Sequence, residues 1–203
     1  MRRIGLTGGI ASGKTMITDY LRSLGAVVID ADEISRNLTG PGSQVTREIA
    51  AVFGEDCLDE NGCLRRSWLG RIIFEDERSR DKLNDIMHPR IEAIVLDEFA
   101  KREAAGESAV IYSAPLLLER GGSVPVDEVW VVALDEQEQI RRLRERNGLT
   151  REEALSRLRA QSGLDDKLVK ADHVIDNNHA PQRALSQAKE LWERVLSEAT
   201  RDR

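Results

Sequence analysis

The stretch Gly8-Gly9-Ile10-Ala11-Ser12-Gly13-Lys14-Thr15 reads GGIASGKT and satisfies the pattern GxxxxGK[ST]. Its flanks give the pattern meaning. Arg3-Ile4-Gly5-Leu6-Thr7 ahead of it is a short apolar run suited to a buried parallel strand, and Met16, Ile17, Tyr20, Leu21 and Leu24 behind it fall at helical spacing. The glycines therefore stand between strand and helix. There Gly8, Gly9 and Gly13 let the backbone fold into a concavity whose N–H groups point at phosphate oxygens, and the helix N-terminus adds partial positive charge. Lys14 is then expected to reach the β and γ phosphates of a nucleoside triphosphate, and the Thr15 hydroxyl to enter the shell of Mg²⁺. A glycine-rich turn opening an ordinary helix is the alternative, and the strand and helix flanks weigh against it.

The chain has 203 residues, 40% of them hydrophobic and 33% charged. That is an ordinary soluble composition, long enough for one good core plus an insertion. No run approaches the roughly 18 apolar residues of a membrane span, and the charged start Met1-Arg2-Arg3 is not followed by an export-type apolar segment, because Gly8-Gly9 and Lys14 interrupt it. A net charge of -6 argues against a broad nucleic-acid surface, so phosphate binding should be local. Cys57 and Cys63 lack metal-ligand spacing and read as free thiols in a reducing cytoplasm.

Ala26-Val27-Val28-Ile29 is a second strand, and Asp30-Ala31-Asp32 follows it directly. Two carboxylates thus sit just past a strand's C-terminal end, where open parallel sheets bind ligands. From Ile34 to Arg102 the chain reads as helices, broken at Gly40-Pro41-Gly42 and Asp59-Glu60-Asn61-Gly62. A helix around Leu83, Ile86 and Met87 is expected to end at His88-Pro89, with another running from Ile91 to Phe99. Strands return at Ala109–Ala114, Val129–Leu134 and His173–Asp176, with Gly121-Gly122 read as a loop. Thr150-Arg151-Glu152-Glu153 is a capping box, and the terminal helix begins near Pro181. Five strands, most of them separated by helical segments, predict an α/β fold with a parallel sheet and helices on both faces. The loop strand is expected beside the second strand. The block 34–102 is then an inserted acceptor-binding arm, set between core segments 1–33 and 103–203.

A phosphate loop alone does not separate a kinase from a GTPase, a motor or a nucleotide-dependent module. The chain lacks an NKxD signature and a strand ending in an acid pair. Asp30 and Asp32 beside an acceptor-sized insertion, with Arg141, Arg142, Arg144 and Arg146 after the fourth strand, suit transfer to a bound small molecule. A nucleoside or nucleoside monophosphate kinase and a non-catalytic nucleotide-dependent interaction module remain as alternatives.

The ordered blocks LTGGIASGKT, VIDADEI, HPRI, PLLLE and ADHVIDNN are more specific, and in this order and separation the chain resembles the dephospho-CoA kinase family over residues 1–180. The resemblance implies a P-loop kinase that phosphorylates the ribose 3′-hydroxyl of dephospho-CoA with ATP, the last step of coenzyme A synthesis. It implies that Gly8, Gly9, Ile10, Ala11, Ser12, Gly13, Lys14, Thr15 and Met16 hold ATP and Mg²⁺. Asp32 is implied as the acceptor-side catalytic carboxylate and His88 as an acceptor contact, with Asp30 holding a Mg²⁺-bound water. Arg142 and Arg146 fall on the arginines of a small lid, about residues 138–165, with Lys14 and Arg142 acting on the transferring group. Met16, Leu118 and Asn147 depart from the family's usual residues, Asn147 bearing on lid geometry. On the residues alone, Asp30 and Asp32 also read as helix caps and His88 as a helix-ending residue. Helical spacing does not choose between the pair Arg142/Arg146 and the pair Arg141/Arg144. The sequence leaves the oligomeric state open.

Overall fold

The computed structural model describes residues 1–119 and 124–201. The read loop Gly121-Gly122 therefore lies outside the described residues. In chain order the elements are β1 (Arg2–Gly8), α1 (Lys14–Ser23), β2 (Val27–Asp30), α2 (Ala31–Leu38), α3 (Gln44–Phe53), a 3₁₀ turn (Glu55–Cys57), α4 (Arg66–Glu75) and α5 (Glu77–Ala104). Then come β3 (Ala109–Ser113), β4 (Glu128–Ala133), α6 (Glu136–Asn147), α7 (Arg151–Arg159), α8 (Leu164–Leu168), β5 (His173–Asp176) and α9 (Pro181–Arg201). The chain divides into two compact units, one of Met1–Asp30 with Val95–Arg203 and one of Ala31–Ile94.

In the first unit all five strands are parallel, in the order β2-β3-β1-β4-β5. The loop strand β1 is therefore not beside β2, as expected from sequence; β3 lies between them. A parallel pair needs a crossover, and the long chain between β2 and β3 supplies one. Register brings the strand ends level: Leu6 of β1 and Asp30 of β2 both pair with Ser113, the last residue of β3.

The central strands β1, β3 and β4 are buried on both faces. Ile4, Leu6, Ile111, Trp130, Val132 and Ile175 pack with Ile17 and Leu21 of α1 and with Ala184, Ala188, Trp192 and Val195 of α9. The alternate residues face the other way, where a Cβ added to Gly5 would meet Leu117 at 2.5 Å and Val126 at 3.2 Å. On the strand β3, Tyr112 meets Phe99 of α5 edge-on with ring centroids 6.3 Å apart, and the Arg3 guanidinium stacks 5.2 Å from the same ring. Each fully buried Ile or Leu contributes about 1.5–3 kcal/mol, which is why the middles of these strands are apolar and their polar residues stand near the ends.

The second unit is helical. Val45, Ile49, Ala50, Cys57, Leu69 and Met87 form its core. The Ser43 hydroxyl caps α3 by accepting from Thr46 N–H at 3.1 Å, and the Asp59 carboxylate accepts from Asn61 and Cys63 N–H to close the expected turn. His88-Pro89 does not end a helix. Instead α5 runs through it, with Pro89 inside. Pro89 has no N–H to give the preceding turn, but in that turn the Arg90 guanidinium donates to the Ile86 carbonyl at 2.6 Å while pairing with Glu48 at 2.6 Å. A side-chain donor thus satisfies backbone in the turn that the proline disturbs, which a local rule about X-Pro cannot foresee.

Candidate active site

The loop from Gly8 to Gly13 leaves β1 and closes on itself through a hydrogen bond from Ser12 N–H to the Gly9 carbonyl at 3.0 Å. Gly13 has φ +95°, and the helix begins with Ile17 N–H bonded to the Gly13 carbonyl. Close approach explains the glycines better than flexibility does. A Cβ on Gly8 would stand 2.6 Å from Ser12 Oγ and 2.8 Å from the Val132 carbonyl, one on Gly9 2.5 Å from Gln139 Nε2, and one on Gly13 2.3 Å from Asn177 Nδ2. Asn177, 2% exposed at the end of β5, donates to the Ser12 carbonyl at 2.7 Å.

Lys14 opens α1, where the helix dipole and the free N–H groups favour an anion. Its ammonium donates to Ser113 Oγ at 2.8 Å, and the Ser113 hydroxyl in turn donates to Asp30 Oδ2 at 3.0 Å. Lys14 is only 9% exposed, so it is held against the end of β3 rather than standing in open solvent. The line of ammonium, hydroxyl and carboxylate runs along the carboxyl ends of β1, β3 and β2. Thr15 is exposed on the first turn of α1. Among the described residues there is no group of three or more His, Cys, Asp or Glu that could hold a metal. The Thr15 hydroxyl and the Asp30 carboxylate are nonetheless hard oxygen donors of the kind that suit Mg²⁺, which keeps waters and phosphate oxygens for most of its shell.

A model of the family described as dephospho-CoA kinase matches residues 2–182. The chain belongs to the dephospho-CoA kinase family. A family member from Geobacter sulfurreducens is 44% identical over 192 residues, covering 95% of this chain and 98% of that protein. A solved structure from Thermus thermophilus covers 97% of both chains at 29% identity with a TM-score of 0.70. A shikimate kinase from Acinetobacter baumannii shares the fold at 18% identity and a TM-score of 0.53, covering 98% of this chain.

For a dephospho-CoA kinase, the arginines after β4 are the next question, and the structure separates those that spacing could not. Arg142 Nη1 lies 3.5 Å from a Cβ built on Gly13, so its guanidinium stands at the phosphate loop. Glu138 holds it there, accepting from Arg142 Nε at 2.9 Å. Hydrogen bonds from Arg141 and then Arg142 pull the Glu138 carboxyl down to about 2. Arg141 is half exposed and pairs with Glu138 and Glu145. Arg144 is exposed, and Arg146 is exposed with its Nε on Asn147 Oδ1 at 3.0 Å. Asp32 sits in the first turn of α2 in the helical unit, a favourable place for an acid, and His88 lies in the part of α5 that belongs to the same unit.

Four residues of the site escape the sequence reading: Ser113 reads only as part of a strand, Asn177 only as the close of the last strand, and nothing in the sequence singles out Gln139 or Gln161. Gln161 Oε1 accepts from the Ile10 N–H at 2.9 Å. Asn177 alone had a local signal, since it directly follows the C-terminal end of the parallel strand β5. The glutamines stand more than a hundred residues from the loop they touch, and no spacing rule reaches that far. The capping box at Thr150 and Glu153 forms as read, and α7 then packs Ala154, Leu155 and Leu158 with Ile140 and Leu143 of α6 against Ile10 and Ala11 of the loop.

Proposed function

We propose that this chain transfers the γ-phosphoryl group of ATP to the ribose 3′-hydroxyl of dephospho-CoA, giving ADP and coenzyme A, in the cytoplasm. The family match across residues 2–182, with its phosphate loop and buried lysine intact, carries the reading. Backbone N–H groups of the loop other than those of Ile10 and Ser12, which are bonded to Gln161 and Gly9, join the first turn of α1 in cradling the phosphates. Lys14 neutralises the β and γ oxygens, where the charge of a loose transition state collects. Mg²⁺, when bound by the Thr15 hydroxyl and through water by Asp30, supplies further neutralisation. Arg142 acts on the transferring group from the lid, residues 138–165, and Arg146 joins it when the lid closes and excludes water. Asp32 takes the proton of the ribose hydroxyl and orients it in line, and His88 contacts the acceptor on the helical arm, residues 34–102. Phosphate recognition is confined to this site, with no role for nucleic acid or a membrane.

The test is ADP release with a panel of acceptors. Dephospho-CoA should stimulate it strongly, and nucleosides and nucleoside monophosphates should not. In Asp32→Asn, ATP affinity should stay near parental while the acceptor-dependent rate falls about 10²- to 10⁴-fold, the scale of losing a general base. Parental turnover in that variant would leave Asp32 as a helix cap and put the base elsewhere.

A further inference from the structure

The ammonium of Lys167, on the short helix α8, is 1% exposed. It donates to the Ser162 carbonyl at 2.8 Å and to Glu119 Oε1 at 3.1 Å, and the same carboxylate oxygen accepts from Ser162 N–H at 3.0 Å. One ion pair thus holds both polar groups of Ser162's backbone. The adjacent residue, Gln161, places its amide oxygen 2.9 Å from Ile10 N of the phosphate loop. Gly9, Ile10, Gln161, Ser162 and Lys167 line a cavity of about 400 Å³ between the loop and helices α7 and α8. Taking an ammonium out of water is expensive, and a single carboxylate and a carbonyl do not make such a pair a good source of stability. A buried pair of this kind is better understood as fixing one geometry, and the geometry fixed here is that of the turn carrying Gln161.

We infer that Gln161 is a positioning residue for the phosphotransfer reaction: anchored through the Lys167–Glu119 pair, it holds the Ile10 N–H and thereby sets the first half of the phosphate loop against the lid. It touches neither phosphate nor acceptor and acts through the backbone of Ile10. Ile10 and Ala11 also pack on the lid helices α6 and α7, so the amide bond adds a directional element to a contact that is otherwise apolar and non-directional. The inference rests on the kinase reading of the site, and turnover by the parental chain tests that reading separately.

Gln161→Ala and Gln161→Glu are compared with the parent by steady-state ADP release, thermal unfolding and hydrogen exchange of the segment containing Ile10. Gln161→Ala should raise the KM for ATP about tenfold, the scale of one hydrogen bond lost. The KM for dephospho-CoA should stay within about twofold, and the unfolding midpoint within about 4 °C, as one lost bond allows in a chain of this size. Exchange at Ile10 should speed up in Gln161→Ala and return to the parental rate in Gln161→Glu, which keeps the acceptor oxygen. The inference is overturned if the ATP KM and kcat of Gln161→Ala both stay within about twofold of the parent, since a lost loop contact has to register there. It is equally overturned if activity falls only in step with loss of folded protein, or if exchange at Ile10 is the same in all three proteins.

Discussion

Lys14→Met separates the charge of Lys14 from its packing. The substitution keeps a stem of similar length and removes only the ammonium. On the stability side two effects oppose each other. The bond to Ser113 Oγ at 2.8 Å disappears, and a hydrogen bond from a charged donor is worth about 1.5–3 kcal/mol. Against this, a 9% exposed ammonium no longer has to be desolvated, a relief of several kcal/mol for a fully buried ion and less at this depth. Ser113 keeps its own bond to Asp30. The expected net change is within about 1 kcal/mol, or about 2–4 °C in the unfolding midpoint for a chain of this size. Catalysis has no such compensation. Loss of a cation that acts on the β and γ oxygens should lower kcat by at least about 10²- to 10³-fold, the scale measured for a single oxyanion donor. The assay is ADP release with dephospho-CoA beside thermal unfolding of the same preparation. Turnover within about tenfold of the parent, or a variant that fails to fold, would refute the reasoning, the first by removing Lys14 from the chemistry and the second by making it a structural residue.

Arg142→Ala should lower kcat by about 2–4 kcal/mol in transition-state terms with little change in unfolding, whereas Arg141→Ala and Arg144→Ala, which remove solvent-facing guanidiniums, should leave turnover near parental; damage from the latter pair instead would reverse the assignment of the helix face. A second expectation concerns acid stability. Burial pushes the Glu128 carboxyl up, but hydrogen bonds from Arg194 and Trp130 and the charges of Arg194 and Arg2 outweigh it, and its pKa ends below the ordinary 4.5. A folded-state pKa below the unfolded one gives stability that is present above the unfolded value and is lost as pH falls through the folded value. Glu128→Gln should therefore be less stable than the parent at pH 7, by about 1–3 kcal/mol given that Arg2 and Arg194 keep partial access to solvent. The two proteins should converge as pH falls below 4.5; a stability gap that persists unchanged in acid would mean that the effect is packing rather than charge.

What was legible in the sequence was what local pattern can carry. Short apolar runs marked the strands, most clearly the central β1, β3 and β4, because a strand buried on both faces must be largely apolar, and the capping box at Thr150 marked the residue before α7. The glycines and Lys14 of the loop could be read because phosphate binding imposes residue types at fixed spacing. Sheet order was not legible: nothing in β1, β2 or β3 taken singly says that β3 inserts between the other two, since that is settled by which crossovers pack. Pro89 misled for the same reason. The rule that a helix stops before proline is local, and the donor in the neighbouring turn, Arg90, is held in place by Glu48 on another helix.

The phosphate loop itself shows how the two kinds of information meet. Ala11 has φ +60°, the left-handed region, which costs a residue with a Cβ about 1–2 kcal/mol. Local preference would put glycine or asparagine there, so the sequence is at odds with the conformation at the residue beside Ile10. Strain of this kind persists only where the surroundings over-determine it. Here they do: Gln161 holds Ile10 from α7's end, Asn177 holds Ser12 from β5, Gln139 closes on Gly9 from α6, and the Ala11 methyl packs with Ile10 against the lid helices. A glycine at position 11 would relieve the strain and give up that apolar contact. The loop is thus ordered by the fold before any phosphate arrives, and ATP need not meet the entropy of ordering it. N–H groups fixed in advance stabilise transition-state charge without reorganising during the reaction, and under the proposed function Gln161 and Asn177 serve that order by holding the backbone of Ile10 and Ser12.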